Sequence, residues 1–202
     1  MKMSRFEKFF VNRPHRSQKA EKSAERMLTH IAAGGIKPGM SYLEVGCGNG
    51  AAAVYIASKY KLDVTGIDVD PDQIARAQER GKGREGVHFS TGDGAKLSFP
   101  DNTFDFVYTF YTTHHIADWM GAVSEMERVL KTGGCFMYVD ISYPGWLAAA
   151  GTALFKNHGF PTAGALQRFS QKSGMSPVYF ARHLSECEAV FKKAGDKKQT
   201  TS

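Results

Sequence analysis

Residues 41–50 read SYLEVGCGNG, a short hydrophobic run that opens directly into a glycine-rich loop. The run predicts a strand, and the glycines that follow allow positive φ and close approach of the backbone to a ligand. From Ala51 to Lys59 the sequence predicts a helix with small residues in its first turn, where free N–H groups are available. Strand, loop and helix together predict a ligand-binding turn.

The regions on both sides of this turn alternate in the same way. Asp70, just before Pro71, is the expected N-cap of a further helix. The helix after strand four is expected to stop at Gly133-Gly134. Strands alternating with short helices predict βαβ units, hence a mostly parallel sheet with helices on both faces. The expected strands are 63–68, 86–90, 105–110 and 135–141, and the expected helices are 17–33, 51–59, 71–78 and 119–130.

The composition of the chain is typical of a globular domain and gives no sign of a nucleic-acid enzyme. The chain has 202 residues, 42% hydrophobic and 23% charged, which suits a single globular domain. The net charge of +6 comes from the two ends, so no basic face typical of a nucleic-acid enzyme is visible. We find no membrane-spanning run and no secretory signal. Three distant cysteines suggest reduced thiols in a cytoplasmic protein and no metal site.

Two acidic residues flank the glycine loop. Asp68 closes the second predicted strand, eighteen residues after Gly50, where a carboxylate can accept hydrogen bonds from ribose hydroxyls. The glycines also fit a degenerate form of the dinucleotide-binding motif GxGxxG, so they do not exclude NAD as the cofactor. Glu44, however, would repel a pyrophosphate and attract the ammonium of a methionine moiety.

At this point the sequence resembles the class I S-adenosylmethionine-dependent methyltransferases, in the branch with ubiquinone- and menaquinone-type enzymes and many small-molecule methylases. The resemblance runs from about Lys37 to Ile141 and implies a Rossmann-like three-layer sandwich. Its motifs are the acid and glycines of 44–50, Asp68, the Gly-Asp-Gly-Ala of 92–95, FPDNTFDFVYT at 99–109 and RVLKTGGCFMYVD at 128–140. We expect one domain over 1–202, with an N-terminal lid segment (1–36), a cofactor core (37–141) and an acceptor-side segment with the tail (142–202).

The resemblance also implies roles for individual residues toward S-adenosylmethionine. The loop formed by Gly46, Cys47, Gly48, Asn49 and Gly50 would pass under the methionine moiety, whose ammonium Glu44 would attract. Asp68 would hold the ribose and Val69 would lie against the adenine. Asp93 would accept the adenine amino hydrogen, although an N-cap role is an alternative. Gly94 and Ala95 would add backbone contacts, and Phe110 would offer its carbonyl near the ammonium.

The sequence gives weaker signals for the residues that bind the methyl acceptor. His114 follows strand four, where the family commonly has a histidine, and is the candidate catalytic base; the alternative is a histidine packed in a loop. Tyr143, Trp146, Phe155 and Phe160 could wall an apolar acceptor pocket, or they could belong to a core or lid helix. In the N-terminal segment, Arg13 or Arg16 could reach a carboxylate of a ligand.

The C-terminal region departs from the family pattern, which ends with a sixth strand and an antiparallel seventh. Residues 184–194 predict a helix, and the tail after it is polar. We therefore expect five or six strands, the antiparallel hairpin shortened or missing, and strand five near an edge. That apolar edge would have to be covered by the tail, by the helices of 145–175 or by a second subunit, the last of which would make a homodimer.

The predicted function is transfer of a methyl group from S-adenosylmethionine to a small-molecule acceptor. The alternatives are a methylase of RNA or protein, a non-catalytic cofactor-binding module and an NAD-dependent oxidoreductase. The (Asn/Asp)-Pro-Pro-(Tyr/Phe) motif of amino-methylating nucleic-acid enzymes is absent, since Phe110-Tyr111-Thr112-Thr113 stands at its place.

Overall fold

The structure is a computed structural model that describes residues 14–31 and 34–195. Seven strands and six α-helices alternate along most of this range. The strands are β1 (Ser41–Val45), β2 (Asp63–Asp68), β3 (Val87–Thr91), β4 (Phe104–Phe110), β5 (Leu130–Ile141), β6 (Met175–Arg182) and β7 (Glu186–Lys193). The helices are α1 (Pro14–Thr29), α2 (Ala51–Tyr60), α3 (Pro71–Gly81), α4 (Trp119–Val129), α5 (Gly145–Leu154) and α6 (Ala163–Lys172), with a 3-10 turn at Thr113–His115.

The strands form one sheet in the order β3-β2-β1-β4-β5-β7-β6. The first five strands pair in parallel, whereas β7 runs antiparallel to both of its neighbours. The predicted α/β fold with a mostly parallel sheet is confirmed. The order of the chain reverses between β1 and β4, and the carboxyl ends beside such a switch point are where ligands bind in sheets of this kind.

The expectation of a missing C-terminal hairpin was wrong. β6 and β7 form a complete antiparallel hairpin, so the sheet has seven strands rather than five or six. The helix predicted over 184–194 is strand β7, whose residues Cys187 to Phe191 are buried. An apolar run with both faces covered has no period-2 alternation, so its pattern alone does not separate a buried strand from a helix.

Strand five is therefore not near an edge, and that expectation was also wrong. β7 pairs with β5 from Cys135 to Ile141, and β6 forms the edge instead. β6 carries Pro177 at an irregularity in its pairing, a feature that discourages further strand addition at an exposed edge. The reason for expecting a second subunit over β5 disappears, because the hairpin of the same chain covers it.

Helix boundaries follow local signals closely. The Asp70 side chain accepts a hydrogen bond from the Asp72 N–H, which confirms the predicted N-cap of α3. α4 ends at Val129 rather than running to the two glycines, which lie inside β5. A Cβ at Gly134 would stand 2.7 Å from the Asp105 carbonyl oxygen, so this glycine permits close pairing with β4 instead of ending a helix.

Both faces of the sheet are covered by apolar side chains. On one face α1 and α2 pack through a cluster that includes Met27, Leu28 and Ile56. On the other face α4 and α6 pack through a cluster that includes Met126 and Leu166. Among residues 14–31 and 34–195, no helix has the length and apolar character needed to cross a bilayer.

Candidate cofactor and acceptor site

A cavity of about 640 Å³ opens at the carboxyl ends of β1, β2 and β4, a size typical of small-molecule sites. The three strands and the loops after them supply its floor, and α1 supplies one wall. Of the residues expected from the sequence to bind cofactor, all except Gly50 line this cavity: Glu44, Gly46, Cys47, Gly48, Asn49, Asp68, Val69, Asp93, Gly94, Ala95 and Phe110.

The glycine loop owes its shape to three positive φ angles, +77° at Gly46, +52° at Gly48 and +72° at Gly50. A Cβ at Gly46 would lie 2.1 Å from Oγ1 of Thr112, so only glycine lets the two loops touch. A Cβ at Gly50 would lie 2.6 Å from the Phe89 ring. Gly50 therefore packs against Phe89 behind the loop, and its role is to allow the conformation of the loop.

Asp68 lies at the end of β2 and is held by backbone groups. Its Oδ2 accepts a hydrogen bond from the Gly48 N–H at 2.9 Å, and its Oδ1 accepts one from the Asp70 N–H at 2.9 Å. Burial raises the pKa of this carboxyl, and the backbone hydrogen bonds act in the opposite direction. Each carboxylate oxygen has two lone pairs, so these bonds orient Asp68 without using its full capacity as an acceptor.

Glu44 lies on the neighbouring strand β1 and is only 3% exposed. Its Oε2 has no hydrogen-bond partner among the described residues. Burial, and then the negative charge of Asp68, raise its pKa to about 8, while a backbone hydrogen bond at Ala53 opposes them. A buried carboxyl oxygen without a donor is costly in the empty protein, and it fits a ligand that brings a cationic donor.

The adenine side of the predicted site is more open. Val69 is half exposed and lines the cavity directly after Asp68. Asp93 accepts a hydrogen bond from the Ala95 N–H at 2.9 Å, within a tight turn that ends in a bridge to Lys96. No helix follows this turn, so the N-cap alternative for Asp93 is wrong.

Helix α1 forms the wall that closes over the glycine loop. Arg16, Ser17 and Ala20 line the cavity, while Arg13 lies outside the described residues. The Arg16 guanidinium lies 5.7 Å from the centre of the Tyr111 ring, and Lys19 Nζ donates to the Tyr111 hydroxyl at 3.0 Å. The Tyr111 hydroxyl in turn donates to Glu186 on β7, so one tyrosine joins α1 to the C-terminal hairpin.

His114 is paired with a carboxylate that the sequence-based site did not include. Its Nδ1 lies 2.6 Å from Oδ1 of Asp140, and this fully buried aspartate also accepts from the Thr113 N–H at 2.7 Å. Because an ionised carboxylate only accepts, Nδ1 carries the hydrogen and Nε2 is left as the acceptor. An acid that closes a strand is the signal that identified Asp68, and it would have identified Asp140 on β5.

The residues that line the cavity near His114 differ from those expected. His115 lines it and His114 does not; the two rings lie 4.0 Å apart. Trp146 and Phe155 are largely exposed. Neither they nor Tyr143 and Phe160 are among the residues that line the cavity, so the expected aromatic wall is wrong. The loop after α5 contributes Asn157 instead.

Comparison with known proteins agrees with this geometry. A family model described as "Methyltransferase domain" matches residues 43–138. A sterol 24-C-methyltransferase of Gibberella zeae is 43% identical over 115 residues, which cover 55% of this chain and 30% of that protein. A 2-methyl-6-phytyl-1,4-hydroquinone methyltransferase of Synechocystis is 36% identical over 105 residues, covering 52% of this chain and 33% of that protein.

Solved structures extend the likeness to nearly the whole chain. The crystal structure of a SAM-dependent methyltransferase from Aquifex aeolicus superimposes with a TM-score of 0.70 at 20% identity, covering 96% of this chain and 100% of that one. At this identity the likeness concerns the fold alone. The chain spans about a third of the length of the two curated relatives above.

Proposed function

Because a family model described as a methyltransferase domain matches residues 43–138, we propose that this chain transfers a methyl group from S-adenosylmethionine to a small-molecule acceptor. The observation that carries the proposal is the pair of acids at the carboxyl ends of β1 and β2. Glu44 offers an unpartnered buried oxygen, and Asp68 is oriented by two backbone N–H groups beside it. Such a pair suits a ligand with an ammonium at one end and a ribose in the middle.

We propose the following division of roles. Glu44 binds the ammonium, and the loop from Gly46 to Asn49 lies under the methionine moiety. Asp68 accepts from the ribose hydroxyls, and Val69 packs on the adenine. The Asp93 turn, with Gly94 and Ala95, borders the adenine edge, and the Phe110 carbonyl faces the ammonium. In this proposal 37–141 is the cofactor core, 1–36 the lid and 142–202 the acceptor side of one domain.

S-adenosylmethionine, when bound, supplies a methyl group on a positively charged sulfur that departs as a neutral thioether. The protein therefore has to align the acceptor and exclude water rather than activate a leaving group. We propose that His114 Nε2 receives the proton from an acceptor that must lose one. Asp140 would hold the required tautomer, as carboxylates do behind catalytic histidines.

We propose a small molecule as acceptor rather than RNA or protein. The relatives named above act on sterols and hydroquinones by their names, and the net positive charge of the chain comes from residues 1–26 and 192–202, since residues 27–191 carry a small net negative charge. The three cysteines are free and buried, which supports a reducing, cytoplasmic location.

Calorimetry with S-adenosylmethionine, S-adenosylhomocysteine and NAD tests the proposal. We expect binding of the first two and none of NAD. Asp68→Ala should weaken binding by at least tenfold, because it removes a charged acceptor from the ribose. Tight binding of NAD without binding of the other two would refute the assignment. Binding without methyl transfer to any acceptor would favour the non-catalytic alternative.

A further inference from the structure

Helix α5 carries its apolar side chains outward. Trp146 and Leu154 are each 75% exposed, and Phe155, directly after the helix, is 57% exposed. The residues of α5 that are buried are Ala148 and Gly151, which are small. A Cβ at Gly151 would lie 2.2 Å from the Phe160 ring, so this helix packs on the protein through its small residues.

The exposed residues share one face. Trp146, Ala150, Ala153 and Leu154 follow the spacing i, i+4, i+7 and i+8, so they form a stripe on the side of the helix opposite Ala148 and Gly151. Residues 145–155 contain no charged side chain. A monomer rarely exposes a continuous apolar stripe that is not used for contact with another surface.

The stretch of sequence that contains this stripe carries charges of one sign. Residues 141–185 contain no Asp or Glu, but they contain Lys156, Arg168, Lys172 and Arg182. All four cations are exposed. Lys156 comes two residues after the last turn of α5. Exposed Trp, Leu and Phe side chains on a segment whose only charges are positive favour contact with the interface of an anionic membrane.

We propose that α5 is an interfacial helix that docks this protein on an anionic lipid surface, with Trp146, Leu154 and Phe155 in the acyl boundary. The two-fold contact of a second copy through the same stripe is disfavoured, because it would bring two acid-free, cationic segments together. The helix is too short to span a bilayer, so it would lie in the plane of the surface.

The loop that follows α5 borders the cavity. Asn157, just beyond the helix, lines the cavity, and the Gly159 N–H donates to the His114 carbonyl at 3.0 Å. Docking would therefore place the acceptor side of the cavity against the lipid. This consequence rests on the proposed function and favours an acceptor dissolved in the bilayer.

Vesicle flotation of the full chain tests the docking itself. We expect binding to phosphatidylcholine vesicles containing phosphatidylserine, weak binding to pure phosphatidylcholine, and loss at high salt. The double variant Trp146→Ser, Leu154→Ser should lose at least tenfold in vesicle affinity, and Lys156→Gln about fivefold. Val178→Ser, an exposed apolar residue on β6, and Lys82→Gln on a distant loop are matched controls that should change nothing.

Tryptophan fluorescence distinguishes a loss of docking from misfolding of a variant. The emission of Trp146 should shift to the blue on anionic vesicles, and Trp146→Phe should keep vesicle binding while losing that shift. All variants should retain S-adenosylhomocysteine affinity, which reports the cofactor site independently of docking. Absence of binding to anionic vesicles, equal binding by the double variant, or a dimer that the double variant dissociates would each overturn the proposal.

Discussion

Replacing Glu44 with glutamine should stabilise the ligand-free protein and weaken binding of the cofactor. The folded pKa of this carboxyl is raised to about 8 from an ordinary value of 4.5, first by burial. Between these values the folded state holds a proton that the unfolded state has lost, so stability falls as the pH rises. At 1.36 kcal/mol per pH unit, Glu44 lowers the free energy of unfolding by about 3 kcal/mol at pH 7 and about 5 kcal/mol above pH 8.

Glutamine has nearly the same shape and no charge, so it removes this pH-dependent cost. In thermal melts from pH 4.5 to 9, the melting temperature of the variant should exceed that of the wild type by an amount that grows up to pH 8 and stays constant above it. At pH 7 the gain in melting temperature should be roughly 5–10 °C for a chain of this length. Glu79→Gln, an exposed glutamate on α3, is the control and should melt like the wild type at every pH.

The same variant should bind S-adenosylmethionine about 10- to 100-fold more weakly, because a charge-assisted hydrogen bond contributes about 1.5–3 kcal/mol. Binding to the wild type near pH 6.5, where an α-amino group is charged, should release about one proton as Glu44 ionises. Calorimetry in two buffers of different ionisation heat measures that proton, and the variant should release none. Unchanged stability at pH 8 together with unchanged affinity would refute the placement of Glu44.

Three further changes test other parts of the structure. Gly46→Ala should abolish measurable cofactor binding and destabilise the protein by about 2 kcal/mol or more in urea unfolding, because its Cβ would overlap Thr112 at positive φ; near wild-type affinity would contradict the loop geometry. Arg26→Met should cost about 1–3 kcal/mol at pH 7 by leaving the 2%-exposed Glu188 carboxylate without its bidentate partner. Burial raises the pKa of Glu188, but the hydrogen bond and the charge of Arg26, with smaller contributions from Glu186 and His183, together lower it below 4.5. The loss should therefore shrink progressively as the pH falls below about 4.5, and a loss independent of pH would exclude the pair as its cause. His114→Asn should lower kcat while leaving S-adenosylhomocysteine affinity intact; a proportional loss of affinity would indicate a structural role instead.

Most of the predicted residues that line the cavity could be found from the sequence because their signals are local. A strand that ends in glycines, an acid that ends the next strand and an N-cap such as Asp70 each depend on a few neighbouring residues. Parallel strands bring their carboxyl ends to one edge, so Glu44 and Asp68 had to lie near each other once the alternation was recognised.

The remainder depended on contacts between distant parts of the chain. Strand β7 is buried on both faces, and its apolar run became a strand only because β5 and β6 pair with it from either side. The hydrogen bond between His114 and Asp140 joins the 3-10 turn after β4 to strand β5. The exposed stripe of α5 depends on which face of this helix the rest of the protein covers. The periodicity of the sequence indicates which residues share a face of a helix or strand. Tertiary packing decides whether that face contacts the rest of the protein or the solvent.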